Sequence, residues 1–489
     1  MDRRYESTGI AEIWNDQGRN LVERSIWVGV MRAQHEAGID IPEDIIDMYS
    51  DLAASQALLA PDSAEALGEA QDIAELEKET RHDLYARLRW FNESVGADHA
   101  HRGLTSSDIT ENAQQMQIVA SAELLLEHGE QVLRRMYERA GGVATVPIVA
   151  RTHGRPAQLT TIGKRITDWM QELMGAMVSL QGAIEGYVPR GIKGAVGTNA
   201  DMARALLPGL PGGSPASRWV AARLAAGTLD DKVSSGLAGE TSSMLSTGQC
   251  YPRSADLQIV AGALQLAAAC GTVATAVRLM SALDLVVENP DAHVGSSAMP
   301  HKSNPRYSER ICSLQIVARG YAGMLQETTG TQWLEGDVST SAARRIALPG
   351  LFHTVDSMLA NTAWVLDHME FDLGAIDSER MLWMPEMASG ALLAALVENG
   401  VPRRKAHEML RDLYRAIGGP DCESNRVGTL IYRLTDEDAE FQLTPEQART
   451  AFDPEMLVGS AVAIVEAVVG AEFGEMLADA DPEWPGDLV

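Results

Sequence analysis

The chain has 489 residues, is 45% hydrophobic but only 5% aromatic, and carries a formal net charge of −28. That length accommodates roughly two to four domains, or one long helical body with smaller caps, and abundant Ala and Leu with scarce aromatics favour helix over strand. The acidity leaves no whole-chain basic footprint for nucleic acid, so an anionic substrate would need cations gathered locally at its site.

The opening Met1-Asp2-Arg3-Arg4-Tyr5-Glu6 lacks the apolar stretch of a signal peptide. A first zone, residues 1–103, shows helical spacing at Ile26, Val30 and Met31 and predicts a polar helix around Ile73–Leu88. A second zone, 104–367, holds the longest patterned segments. Ile118, Ala122, Leu125, Val132 and Met136 recur at helical spacing, as do Ile259, Leu266, Val273, Val277, Met280 and Leu283, with Gly/Pro-rich breaks near Pro189–Gly197 and Pro208–Pro215.

Leu257–Val277 carries no charge over a length that could cross a membrane. Its Ala/Gly-rich composition, with Gln258, Gln265, Thr272 and Thr275 inside, suits a buried bundle helix better than lipid. Long uncharged helices of this kind imply a bundle, and burial of further faces against other subunits implies an oligomer.

A third zone, 368–489, contains a helix stop at Gly400 followed by a start at Pro402. It also contains a capping box with Pro at the first helical position in Thr444-Pro445-Glu446-Gln447. The acidic tail after Phe473 is expected to fray. Cys250, Cys270, Cys312 and Cys422 form no CxxC pair, which suggests neither a zinc site nor a redox motif, and reads as reduced thiols in a cytoplasm.

The densest chemistry lies in Gly295-Ser296-Ser297-Ala298-Met299-Pro300-His301-Lys302-Ser303-Asn304-Pro305, with Glu309 beyond it. Gly and Pro keep the stretch out of regular helix, and hydroxyls, a Lys and an Asn offer successive donors to a carboxylate. A Ser acts as base only if its alkoxide is stabilised, which Lys302 and loop amides could do. The residues alone leave a surface turn as an equal alternative.

This stretch resembles the signature loop of the fumarase/aspartase superfamily at every defined position. The resemblance implies that Ser296 is the general base, that Lys302 and Asn304 hold the substrate carboxylate, and that Ser297 and Met299 also touch substrate.

Arg151-Thr152-His153-Gly154 resembles the block carrying the general-acid histidine, which makes His153 the acid and Thr152 a substrate contact. Gly103-Leu104-Thr105-Ser106-Ser107-Asp108 resembles the block that binds the fumarate-side carboxylate, through Thr105 and Ser106; read without the resemblance it is a helix cap.

Further blocks resemble the adenylosuccinate lyases within that superfamily. These are Arg4-Tyr5 with Ile13-Trp14, matching a phosphate-binding pair; Arg81-His82-Asp83, matching a nucleotide-site block; the Gln249 segment; and Ser341 with Arg344-Arg345, matching the serine–arginine segment. Each arginine alone is most simply a solvated surface charge; the joint order carries the likeness, from about Arg4 to Arg345.

The resemblance implies an all-α, three-domain fold whose long central bundle forms the core of a homotetramer, with active sites shared between subunits. It implies a cytoplasmic C–N lyase of purine nucleotide biosynthesis that releases fumarate from a small anionic substrate and uses no metal or organic cofactor. Glu309 is expected to pair with His153, His82 to orient substrate, and Arg310 to bind it. Two positions depart from the pattern, Ser303 where a basic residue is common and Gly336 where an Arg is. A lyase of the same superfamily acting on argininosuccinate, aspartate or a small substituted succinate, and a noncatalytic structural paralogue, are the other readings.

Overall fold

The computed structural model describes residues 5–210, 212–238, 243–290, 299, 302–419, 425–436, 441 and 443–470. Helices dominate, as the composition predicts, with two small two-stranded antiparallel sheets among them.

Helix α1 (Thr8–Trp14) runs into α2 (Asp16–Glu36) through Asn15, whose side chain accepts the Gly18 N–H at 2.7 Å and so starts the second helix. On α2, Ile26, Val30 and Met31 are buried, as their spacing predicts. They pack with Trp27, Tyr49 of α3 (Glu43–Ala57) and Leu84, Leu88 and Phe91.

The single helix expected over Ile73–Leu88 is instead two, α4 (Ala64–Thr80) and α5 (Asp83–Val95). Arg81 takes a left-handed φ of 51° at the end of α4, and His82 caps α5 by accepting the Tyr85 N–H at 3.4 Å. Local cap chemistry divides the expected polar helix here. Buried pairs fix these helices against α2: both Glu23 carboxylate oxygens accept from the Nε–Nη2 edge of Arg87 at 2.6 and 2.9 Å, and Glu69 accepts from Arg24 at 2.5 Å.

Helix α6 (Ser106–Gly142) has 37 residues and is about 55 Å long. Its predicted stripe, Ile118, Ala122, Leu125, Val132 and Met136, is buried throughout. A hairpin of β1 (Pro147–Thr152) and β2 (Arg155–Thr161) follows, then α7 (Ile162–Glu185), α8 (Ala200–Leu206), α9 (Pro215–Ala238) and α10 (Leu257–Ser281). The short β3 (Val286–Val287) precedes α11 (Arg306–Glu327) and α12 (Ser341–His368), and β4 (Glu370–Phe371) pairs back with β3.

Helices α6, α7, α10, α11 and α12 share one apolar core. The uncharged segment 257–277 is a bundle helix in this core, and 61% of the most apolar window of Arg253–Ser281 is buried inside the protein. Leu283 does not continue its stripe: α10 ends at Ser281 and Leu283 is 42% exposed. In a second segment long and apolar enough to cross a membrane, Leu373–Glu398, 33% of the most apolar window is buried. Helices α8 and α9 contribute Met202, Leu206, Ala226 and Leu229 to the cluster built around α2, although they lie within the 104–367 zone.

The remaining helices are α13 (Leu373–Met387), α14 (Ser389–Glu398), α15 (Arg403–Ile417), α16 (Arg426–Thr435), α17 (Pro445–Thr450), α18 (Pro454–Leu457) and α19 (Ala461–Val468). Leu392, Leu410 and Leu430 of this group pack with Val149 and Leu159 of the hairpin, while Val465 of α19 returns to the central core. Gly400 has a φ of 89° between α14 and α15 as predicted, and the capping box closes with Gln447 N–H on Thr444 Oγ1 at 3.1 Å and Thr444 N–H on Gln447 Oε1 at 3.0 Å. The tail after Phe473 lies outside the described residues.

Asp108, in the first turn of α6, is the polar keystone of this region. It is fully buried and accepts from Arg190 Nη1 at 2.7 Å, from the Lys193 and Gly194 N–H groups at 2.9 Å, and from the Thr105 N–H at 2.8 Å. Asp108→Ala would leave the fully buried Arg190 guanidinium without its counter-charge, a loss of about 3–5 kcal/mol for a broken buried pair. Urea unfolding should show a lowered midpoint corresponding to a free-energy loss of that size; a midpoint within error of the parent would remove Asp108 from this role.

Candidate active site

His153 stands at the tip of the β1–β2 hairpin. Thr152 pairs with Arg155, and His153 and Gly154 take φ of 53° and 74°. Two successive left-handed residues are what a tight hairpin turn requires to match strand twist, and His is among the side chains that tolerate this region. Arg151 braces the tip, pairing with Glu379 of α13 and donating to the Gly154 carbonyl at 3.2 Å. Thr152 and His153 are therefore presented to solvent from a fixed turn.

Ser296 and Ser297, the predicted base and its neighbour, lie outside the described residues, as does Arg4. Met299, Lys302 and Asn304 are described: the Lys302 N–H donates to the Met299 carbonyl at 3.1 Å, and Lys302 is exposed. The foot of this segment is held by Glu288, only 4% exposed, whose carboxylate accepts the Tyr307 and Ser308 N–H groups at 2.9 and 2.7 Å. A carboxylate at these free amides satisfies unpaired donors and meets the positive end of the helix dipole. Glu288 was not legible in the sequence, since nothing local links it to a helix start that far downstream.

Glu309 and Arg310 follow on the first turns of α11. Arg310 lies 4.9 Å over the Tyr307 ring and donates to Asn361 Oδ1 at 3.3 Å; Tyr307 in turn stacks on Trp364 at 3.6 Å. A groove of about 530 Å³ brings Arg310 and Glu309 together with Tyr5, Arg306 and Tyr321.

A second group forms where α5, α6 and α12 start. Arg345 Nη2 donates to Asp83 Oδ2 at 2.9 Å, and His82 Nε2 lies 3.4 Å from Ser106 Oγ. Burial pushes the Asp83 carboxyl up, but the Arg345 hydrogen bond and the charge of Arg87 at 3.8 Å outweigh it and bring the group down to about 2. Asp83 is thus a carboxylate throughout the neutral range.

Thr105 caps α6, Ser341 is the first residue of α12 one turn before Arg345, and Arg81 adjoins His82 at the left-handed break. His101 sits beside this group: it accepts from Trp27 Nε1 at 3.1 Å, and burial lowers it to about 4 against the opposing pull of Asp108. The neighbouring Arg344 has a different fate from Arg345; it is buried and bonds Asp256, Tyr251 and Gln114. The resemblance assigns Arg345, not Arg344, to the substrate, and packing supplies the physical contrast between them, since Arg344 alone points inward.

Gln249 is half-buried, and its N–H donates to the Glu335 carbonyl at 2.7 Å. Gly336 beside it has a φ of 154°, and a Cβ there would lie 3.1 Å from Cys250 N and 3.2 Å from Gln249 Cβ. A side chain at 336 would be strained at this φ and would press on the Gln249 segment, so the backbone favours Gly here.

Among the described residues, no hydrogen bond or ion pair joins His153 to Glu309, nor either of them to the Asp83–Arg345 group. No group of three or more His, Cys, Asp or Glu is placed to hold a metal ion among the described residues.

Residues 11–208 match the lyase family model. Over nearly its whole length the chain is similar to the adenylosuccinate lyase of Saccharomyces cerevisiae, at 29% identity over 482 residues, 98% of this chain and 95% of that one. It is similar to that of Synechocystis at 28% over 463 residues, 93% and 96% of the two chains. Its fold matches a fumarate lyase from Mesorhizobium with a TM-score of 0.75 at 19% identity, covering 96% of this chain and 99% of that one. It also matches the 3-carboxy-cis,cis-muconate lactonizing enzyme of Pseudomonas putida, with a TM-score of 0.74 at 19% identity over 98% and 99%. The chain is a lyase with the all-α fumarase/aspartase fold. In sequence, its full-length likeness is to the adenylosuccinate lyases.

Proposed function

We propose that the protein is an adenylosuccinate lyase, which breaks the C–N bond of adenylosuccinate to give AMP and fumarate and acts likewise on the succinylated aminoimidazole carboxamide ribotide. The observation that carries this reading is the Arg345–Asp83 pair beside His82 and Ser106, which gathers blocks from three helix starts at one place. A phosphate site wants guanidinium and hydroxyl donors, and Arg345, Ser341 and Tyr5, with Arg4, supply them.

In the mechanism we propose, Ser296 as alkoxide takes a proton from the carbon beside a carboxylate. Lys302 and Asn304 stabilise the charge that develops on that carboxylate. His153 protonates the departing nitrogen. Glu309 of another subunit orients His153 and holds its charge. Thr105, Ser106, Thr152, Gln249, Ser297, Met299 and Arg310 hold the substrate, and His82 orients it. We place these residues in a site shared among subunits of a homotetramer. The three-zone division 1–103, 104–367 and 368–489 and a cytoplasmic location belong to the same proposal.

The test compares fumarate release from adenylosuccinate, argininosuccinate, aspartate and a nitro-substituted succinate under identical conditions. Adenylosuccinate is expected to turn over best, and Arg345→Met to weaken its binding by about 1.5–3 kcal/mol, the worth of a charged hydrogen bond. Turnover of an unphosphorylated compound with adenylosuccinate inert would retain the lyase and remove this substrate. No fumarate from any of them would favour the noncatalytic paralogue.

A further inference from the structure

Residues 5–7 run between two grooves. Tyr5 lines one together with Arg310; Glu6 lines the other, of about 410 Å³, together with Trp14, Arg345 and His353. Tyr321 borders both, so this short arm is the partition between them.

Beyond the arm, α1 is firmly docked: Trp14 Nε1 donates to Ser121 Oγ at 2.8 Å, Gln117 Nε2 donates to the Ile13 carbonyl at 2.7 Å, and the Trp14 ring stacks on Phe352. Tyr5 packs against the central core, and among the described residues the arm has one hydrogen bond to the bundle. The Ser7 N–H donates to His353 Nδ1 at 3.3 Å, across 346 positions of sequence. His353 is 8% exposed on α12, two turns beyond Arg345 and on the same groove-lining face.

We propose that His353 is a positioning residue for substrate binding: its neutral imidazole anchors the arm and thereby sets Tyr5 and Arg345 at the separation the phosphate-bearing half of the substrate requires. This rests on the phosphate-site reading above. Only an unprotonated Nδ1 can accept the Ser7 N–H, so the anchor depends on pH. Burial lowers the His353 pKa, while Glu6 on the arm and Asp356 on its own helix pull the other way. Asp356 is itself bound by His128 of α6, and Arg345 brings the positive charge of the groove. The anchor is therefore complete at neutral pH and is lost as pH falls below the ordinary histidine range.

The experiment measures KM and kcat for adenylosuccinate and for its unphosphorylated nucleoside, succinyladenosine, from about pH 5 to about pH 8. The tetrameric enzyme is used, with wild type, His353→Ala, His353→Asn and Arg345→Met compared. An Asn Oδ1 takes the place of Nδ1 as acceptor and does not titrate.

In wild type, KM for adenylosuccinate should rise several-fold at the acid end. His353→Ala should show a KM raised roughly fivefold at every pH, the worth of one hydrogen bond, with kcat little changed. His353→Asn should restore a low KM that no longer responds to pH. KM for the nucleoside should not move in either variant. Equal behaviour of the Ala and Asn variants, or equal rises for both substrates, overturns the proposal. Arg345→Met raising KM while His353→Ala does not removes only the anchor; neither raising it removes the phosphate site as well.

Discussion

Ser296→Ala is expected to remove nearly all fumarate release while the protein folds and assembles as before. A proton on the carbon beside a carboxylate is weakly acidic, and elimination needs a base placed on it together with donors for the charge that forms. Ser296 is the residue to which the superfamily resemblance assigns that base, and Lys302 and Asn304 follow in the same loop. Removal of one hydroxyl is a small change to the fold, so circular dichroism, sedimentation and Tm should match the parent while turnover drops by at least roughly 10²–10⁴-fold, the usual contribution of a positioned base. Ser297→Ala should be milder. Turnover near the parental rate in Ser296→Ala would end the assignment of the base.

The second large effect is expected at His153, and the hairpin dictates how to test it. At a φ of 53°, Ala is strained by about 1–2 kcal/mol, whereas Asn tolerates the left-handed region. His153→Asn therefore separates chemistry from folding: the turn persists, and the rate should fall by roughly 10²–10⁴-fold with Tm unchanged. Mixing this inactive variant with inactive Ser296→Ala under subunit exchange should restore activity, because some sites then draw both intact residues from different chains. Exchange without any recovery would mean that both residues come from one subunit. Glu309→Gln should move to lower pH the limb on which rate falls as pH rises, since losing a neighbouring carboxylate lowers the pKa of a histidine acid. An unmoved limb would break the proposed pairing.

The sequence by itself determined the helical class, the stripes of the bundle and the identity of the signature loop. Ile118 to Met136 and Ile259 to Met280 lie buried where a helical period places them, because periodicity is a local property that burial of one face rewards. The cap at Thr444 and the stop at Gly400 were equally legible, since turn and cap chemistry depends on a few neighbouring residues. The break at Arg81–His82 shows the limit: a single polar helix was expected across it, while the backbone turns left-handed at Arg81.

Only the tertiary structure decided which charges are buried in the framework and which stay at the surface. Arg344 is buried on Asp256 while Arg345 reaches Asp83, and Asp108, in a block that reads as a carboxylate site, is spent on holding Arg190. Glu288 under the signature loop and His353 under the N-terminal arm act across 20 and 346 positions, respectively. Such contacts leave no trace in local pattern, because a hydrogen bond between distant segments is created by the packing of the helices that carry them, not by the residues beside it.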